Sequence, residues 1–357
     1  MLATIRNFED RFNKNFHYDW IFANDEPFTE KFQNQVKSFC SGTVTFVHVP
    51  ESMWSYPDFI DQEKALNARL EMGKQQVKYG YSESYRHMCR FFSGMFYRLP
   101  ELSRYRYFWR VEPDIEFRCS INYDPFRVMR IEDKVYGFTL APLELHTTVA
   151  TLWQTTLDYM KEYPERIADD NNFMFLTDDD GKTFNMCHFW SNFEIADLDF
   201  FRSDLYGHFF DYIDHKGGIY YERWGDAPIH TIAISILLKH NKLKFFSNTG
   251  YFHSPNLECS GSAQMILENE CICTPEEDSS WGDQSCIPKL YDIHEDWKRP
   301  EYAPKDIYLP IHDKTLRFIA ERRIELEREG LSAEEIDRKI GEELAAKQAE
   351  ELSKGEE

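Results

Sequence analysis

Two carboxylates spaced two apart, Glu112 and Asp114, stand where the apolar run 107–111 meets Pro113. Proline offers no N–H to a ladder, so a strand carrying Phe108, Trp109 and Val111 should stop there and set both acids beyond its carboxyl end. Ligands of open α/β sheets bind at such ends. Carboxylates there suit Mg²⁺ or Mn²⁺ bridging a diphosphate, and a plain polar turn is the alternative. Three further clusters carry chemistry. Glu194 lies in the apolar stretch 185–201 beside Trp190 and Asn192, where a carboxylate is costly unless paired; it could instead cap a helix beginning near Leu198. Asp226 is bracketed by Gly225 and Pro228 before a very apolar helix, and N-capping is the alternative there. His253 follows a strand within "GYFHSP", where an ordinary surface or core histidine is the competing reading.

The elements that must hold these groups alternate in type. Helical patterns cover 5–15, 61–76 and 82–99, the last with Ser82 as N-cap, and recur near 148–162, 198–214 and 228–239. Strand patterns cover 19–24, 42–49, 107–111, 135–141 and 242–248. Strands alternating with helices predict a layered α/β sheet, and the continuous apolar run 107–111 predicts a central strand covered on both faces. Beyond residue 304 the composition turns charged and helix-forming. The reading is a domain at 1–304 and a charged helical extension at 305–357, with Ser332 and Glu335 as a capping box and Leu331, Ile336, Ile340 and Leu344 along one face.

Composition narrows the function. A chain of 357 residues with 42% hydrophobic and 16% aromatic side chains can bury a large core. Its net charge of −21 argues against nucleic acid and against an anionic membrane surface. No run approaches the roughly 18 apolar residues of a spanning helix, and no signal peptide is visible. Eight cysteines are even in number and widely spread without zinc spacing, which leaves disulfides and free thiols equally open.

Taken together, "NDEPF", "WSYPDFIDQEKA", "YRHMCRFFSGMFYRLP", "YFWRVEPDIEF", "NYDPF", "LWQTT", "NMCHFWSNFEI", "LDFFRSDLY" and "GGIYYERWGDAPIHTIA" resemble the fungal Kre2-type α-1,2-mannosyltransferases of glycosyltransferase family 15. The resemblance runs from about residue 5 to His253 and more thinly to Pro304. It implies a GT-A-type, Rossmann-like α/β/α sandwich with a mixed central sheet, a GDP-mannose donor, Mn²⁺ and a mannoside acceptor. It implies further that Glu112 and His253 ligate Mn²⁺. Glu194 would face the mannosyl carbon as nucleophile or charge stabiliser. Tyr85 would stand beside the donor, unless it is a core aromatic of its helix. Arg110, Asp114, Trp190 and Asp226 would line the donor and sugar pocket, with Glu144 a weaker match because "LAPLELHTT" departs from the family.

Family members carry a membrane anchor, a stem and a first strand ahead of the helix at 5–15. The expectation here is a sheet lacking that strand, with an exposed edge or groove. The resemblance places the protein in the Golgi lumen as a type II membrane protein, although no anchor is visible in this sequence. Two other readings compete: a non-catalytic, glycan-binding descendant, and a metal-dependent hydrolase of sugar nucleotides.

Overall fold

A computed structural model describes residues 1–259, 261–294 and 297–299, and, further on, Arg322, Leu326, 331–332, 335–336 and 338–344. The chain divides into two units, Met1–Asp306 and Ile307–Glu357. The boundary expected at 304/305 and most of the charged extension fall outside the described residues.

In chain order the strands of the first unit are β1 (Trp20–Asn24), β2 (Val44–His48), β3 (Tyr107–Val111), β4 (Ile115–Phe117), β5 (Tyr136–Phe138), β6 (Phe193–Asp197), β7 (Leu243–Phe245), β8 (Tyr251–His253) and β9 (Asn256–Leu257). The helices are α1 (Leu2–Arg11), α2 (Glu30–Phe39), α3 (Gln62–Lys74), α4 (Glu83–Gly94), α5 (Pro125–Ile131), α6 (Leu152–Glu162), α7 (Leu198–Phe201), α8 (Asp204–His215), α9 (Gly218–Tyr221), α10 (Asp226–Leu237), α11 (Ala263–Glu268) and α12 (Ile287–Ile293). Ser82 caps α4 by accepting from the Tyr85 N–H, as its position suggests. The helical pattern 82–99 ends early: after Gly94, on whose Cα side the Phe210 ring closes, the chain tightens into 3₁₀ turns. The pattern 198–214 likewise breaks at Ser203, which caps α8.

Two ladders form the platform. β1 pairs with β2 in parallel, and a mixed sheet runs in the order β3-β6-β5-β7. A smaller antiparallel sheet, β4-β8-β9, adjoins the end of β3. β3 is covered on both faces, but it is terminal in its sheet rather than central. The central place beside it belongs to β6, whose five residues are all buried. One face is packed by an aromatic cluster in which Phe8 of α1 meets Trp20 of β1 at 5.2 Å and Trp109 of β3 at 4.9 Å. The opposite face is the larger core, built from α4, α6, α8 and the wholly buried α10.

The cysteines divide into Cys119–Cys271, Cys187–Cys286 and Cys259–Cys273 disulfides, with Cys40 and Cys89 free. Two of these bridges close long loops, of 152 and 99 residues, and so tie the segment after β9 back to the sheet. Among the described residues no helix is long and apolar enough to cross a membrane. Within the second unit Leu326, Ile336 and Ile340 are buried together, with Leu331 and Leu344 packed on them. Ser332 donates its backbone N–H and its hydroxyl to Glu335, at 2.9 and 2.7 Å.

Candidate active site

β3 alternates its side chains between two cores: Trp109 turns toward α1, while Phe108 and Arg110 turn toward α4. Arg110 therefore emerges from the strand into a buried space beneath α4, its guanidinium carbon 3.7 Å from the Phe92 ring centroid. Directly across the ladder from Arg110 is Glu194 of β6. Asp226 and His230 rise toward the same place from consecutive turns of α10, four residues apart on one helix face.

The contacts in this space are ionic. Arg110 Nη1 lies 2.5 Å from Asp226 Oδ2, and its Nη2 pairs with Glu112. Ser191 donates to the same Asp226 oxygen at 2.7 Å. Glu194 Oε1 is 2.9 Å from His230 Nδ1 but out of line for a hydrogen bond, so a buried carboxylate and a buried imidazole face each other with their pairing incomplete. Burial alone would lower the Arg110 pKa, yet Glu112, Asp226 and Glu194 together hold it above its ordinary value. Burial would raise that of Asp226, and Arg110, His230 and Ser191 outweigh it, leaving the carboxyl below its usual range. The result is a charged pair maintained in the interior, with Glu112 reaching outward: its side chain is 30% exposed against 6% for Arg110.

Past Glu112 the chain turns at Asp114, which adopts φ 66°, and enters β4. β4 pairs with β8 so that Ile115 faces His253, which brings the histidine alongside the residue three beyond Glu112. His253 Nδ1 is buried and has no hydrogen-bond partner. The imidazole meets the Trp190 ring edge-on at 4.6 Å, and the Tyr251 hydroxyl donates to Asn192 at 2.8 Å, so β8 and the loop before β6 are fastened together.

A second arm of the site starts at α4. Tyr85 stacks on Tyr79 with centroids 4.5 Å apart, and its hydroxyl accepts from Arg223 Nη1 at 3.2 Å. Arg223 Nη2 donates to Glu144 at 2.9 Å, and Glu144 also accepts from Thr148. Burial pushes the Tyr85 phenol well above its ordinary value, which keeps it protonated. A cleft of 370 Å³ opens beside it, lined by Asn24, Asp25, Trp54, Tyr85 and Met88.

The structure thus joins Arg110, Glu112 and Asp226 directly, sets Glu194 against His230, links Tyr85 to Glu144 through Arg223, and seats Trp190 on His253. Asp114 stands apart: it is exposed, and its backbone N–H donates to Thr4. Neither capping alternative describes these acids. Gly225 occupies the N-cap of α10 while Asp226 turns to Arg110, and Asp197 rather than Glu194 caps α7. Sequence reasoning passed over Arg223, Ser191 and His230. The one available signal was their density of polar groups within the apolar segments 185–201 and 220–237.

Among the described residues, the only group of three or more ligand-type side chains close enough to hold a metal is Cys119, Cys271 and Cys273, and all three sulfurs are in disulfides. Any other cation site among the described residues would therefore have at most two such side chains as ligands. That number suits a cation whose remaining positions are filled by ligand oxygens and water.

A family model described as glycolipid 2-alpha-mannosyltransferase matches residues 1–295. Alpha-1,2 mannosyltransferase KTR1 of Saccharomyces cerevisiae is 46% identical over 294 residues, covering 82% of this chain and 75% of that protein. Glycolipid 2-alpha-mannosyltransferase 2 of Candida albicans is 47% identical over 292 residues, covering 82% of this chain and 63% of that protein. Among solved structures, Core-mannan synthase A (CmsA/Ktr4) of Aspergillus fumigatus in its Mn/GDP form superposes with a TM-score of 0.76 at 36% identity, covering 82% of this chain and 80% of the other. The mannosyltransferase Ktr4p of S. cerevisiae in complex with GDP gives 0.77 at 35% identity, covering 87% and 80%. The GT-A-type α/β fold is shared with these enzymes.

Proposed function

The chain belongs to the glycolipid 2-alpha-mannosyltransferase family, and from that premise we propose that it transfers mannose from GDP-mannose to a mannoside acceptor, forming an α-1,2 linkage with retention at the anomeric carbon in a Mn²⁺-dependent reaction. The observation that carries this reading is the adjacency of the Glu112 loop and β8. The ladder sets His253, with an unpartnered buried nitrogen, beside Ile115, three residues after the outward-reaching Glu112. Glu112 and His253 would hold the cation. Mn²⁺ would neutralise the diphosphate and act as Lewis acid for the departing GDP.

The remaining roles belong to side chains. Arg110 fixes Glu112 at the rim and Asp226 in the interior, so neither carboxylate drifts toward the other. Asp226, held ionised, is an acceptor for sugar hydroxyls, and Trp190 gives an apolar wall beside His253. Tyr85, held protonated and aimed by Arg223, donates a hydrogen bond to a donor phosphate or leaving oxygen. Asp114 would reach the donor's polar end from its exposed turn before β4. Glu144 acts through Arg223 and orients rather than touches substrate. Glu194 has 1% exposure and lies against His230, which suits a fixed negative charge stabilising oxocarbenium character better than attack on carbon. The three disulfides fit an oxidising compartment, and we place the enzyme in the Golgi lumen.

Incubation with GDP-mannose, Mn²⁺ and methyl α-mannoside tests the proposal. An α-1,2-linked disaccharide supports it. Free mannose alone would make the protein a sugar-nucleotide hydrolase, and no turnover would leave a glycan-binding descendant. Mass spectrometry for a mannosylated Glu194 peptide decides the mechanism, and finding one overturns the stabiliser role.

A further inference from the structure

α10 addresses both charged residues that face each other across the β3–β6 ladder, Arg110 and Glu194. Leu198 donates to Arg106, and in that phase the main chains of Arg110 and Glu194 exchange hydrogen bonds. Over this pair α10 presents Asp226 to Arg110 at 2.5 Å and, one turn later, His230 to Glu194 at 2.9 Å. The helix is pinned in turn to the segment before β6. Thr231 accepts from the Phe189 N–H at 2.8 Å, and Ser191 donates to Asp226 at 2.7 Å. The carboxylate and the imidazole are thus set against each other by fixed backbones, with 1% and 0% of their side chains exposed.

The surroundings of the imidazole narrow what it can do. The Phe201 ring stands 4.9 Å away and the Tyr206 ring 6.0 Å, and the Tyr206 hydroxyl is committed to the Ser93 carbonyl at 2.6 Å. Neither nitrogen of His230 has a hydrogen-bond partner, and neither has Glu194 Oε1. Leaving buried polar atoms unpaired is costly. At 2.9 Å the separation of Nδ1 and Oε1 is already that of a hydrogen bond and only the angle is off, so a small rotation of either side chain completes it. We propose that His230 is the positioning residue of Glu194: its Nδ1–H donates to Oε1 and turns the other carboxylate oxygen toward the anomeric carbon. This rests on the reading of Glu194 as the charge that stabilises the oxocarbenium ion. A carboxylate free to rotate would present that charge in the wrong direction, and misplacement by about 1 Å costs on the order of 100-fold in rate.

Two substitutions in the full chain separate the bond from the packing. His230→Leu suits the apolar helix and removes the donor, whereas His230→Asn sets an amide N–H where Nδ1 stood. With GDP-mannose, Mn²⁺ and methyl α-mannoside, His230→Leu should lower kcat about 100-fold while KM for GDP-mannose stays within about two-fold. His230→Asn should recover at least about ten-fold of that loss. Tyr136→Phe removes another buried, unpartnered hydroxyl, placed opposite Ala196 on β6, and should change kcat by less than about three-fold. NMR of histidine-labelled protein reads the bond without turnover. The His230 side chain, identified by its loss in His230→Asn, should carry its proton on Nδ1, and Glu194→Gln should shift that signal. Wild-type kcat in His230→Leu, an asparagine variant no better than the leucine one, or a Tyr136→Phe loss as large overturns the proposal. So does an Nδ1 without a proton, or one that ignores Glu194→Gln. If His230→Leu does not fold, the NMR signal decides. A wild-type protein that makes no disaccharide counts against the mannosyltransferase reading instead, and the NMR signal still tests the bond.

Discussion

Arg110→Met should unfold the first unit more easily at neutral pH, and a second substitution should partly repair it. The methionine keeps a flexible apolar stem against Phe92 but removes the guanidinium paired with Asp226 and Glu112 and attracted to Glu194. At the observed 2.5 Å, the Arg110–Asp226 attraction is about 6–7 kcal/mol gross for an effective dielectric of about 20. Desolvating two ions takes back several kcal/mol each, so the intact pair is close to neutral for stability. Removing one member is different, because Asp226 stays buried with the Ser191 hydroxyl and the nearby His230 in place of a paired guanidinium. The expected loss is about 3–5 kcal/mol at pH 7. Asp226→Asn in the Arg110→Met background should recover about 1–3 kcal/mol, and not all of it, since Glu194 remains uncompensated. The pH dependence has a definite sign. Asp226 is held below its ordinary value in the intact protein, so its contribution is present above the unfolded pKa and disappears as pH falls through the folded one. The deficit of Arg110→Met should therefore shrink below about pH 4. Equilibrium urea unfolding at pH 7 and at about pH 3, followed by tryptophan fluorescence, measures all three proteins. A loss under about 1 kcal/mol, or a double variant no better than the single one, would refute the idea that Arg110 neutralises Asp226.

Arg223→Met should lower kcat by about 100-fold while KM for GDP-mannose moves little, because Tyr85 loses its aim, and it should also lower the thermal midpoint because the largely buried Glu144 loses this donor; kinetics and melting of the variant check both. His253→Ala should raise the Mn²⁺ concentration for half-maximal activity at least about 10-fold; an unchanged metal titration removes His253 from the ion's shell. Cys187→Ser with Cys286→Ser opens a 99-residue loop and should cost about 2–4 kcal/mol in chemical denaturation. Glu258 accepts from the Asn248, Thr249 and Gly250 amides, yet burial and then Asp278 push its carboxyl up to about 7. With the folded value raised, its contribution is fully present below the ordinary carboxylate range and lost as pH rises through about 7, so Glu258→Gln should flatten thermal midpoint against pH between 5 and 8.

The rim of the site was readable from local rules. Pro113 ends β3, and Glu112 emerges where a strand end meets solvent; two residues of sequence suffice for that inference. The interior was not readable in the same way. β6 was hidden because its five residues are buried on both faces, so no alternation marks it and "NFEIAD" merges with the apolar run before α7. Missing that strand meant missing that Glu194 stands opposite Arg110, a fact of register and not of spacing. His230 was invisible for a related reason: on a helix buried all round, no polar face singles it out. The disulfides also depend on tertiary proximity, with partners up to 152 residues apart.

The same distinction explains why β3 was expected at the centre of its sheet and stands at its edge. Apolar residues on both faces of a strand report that layers cover it above and below. They do not report whether its lateral edge is paired, because that edge is made of backbone and carries no sequence signature. β3 has the covering, from Phe8 on one side and Phe96 on the other, and among the described residues pairs with β6 alone. Covering above and below is therefore no evidence of a central place, and the edge is read from the ladder register alone. Arg110 itself sets an inward-pointing charge on this strand, one of the devices that blunt an exposed edge. Faster amide exchange at Trp109 than at Arg110 in the isolated protein is the direct consequence, and equal exchange at the two would mean the edge is already satisfied.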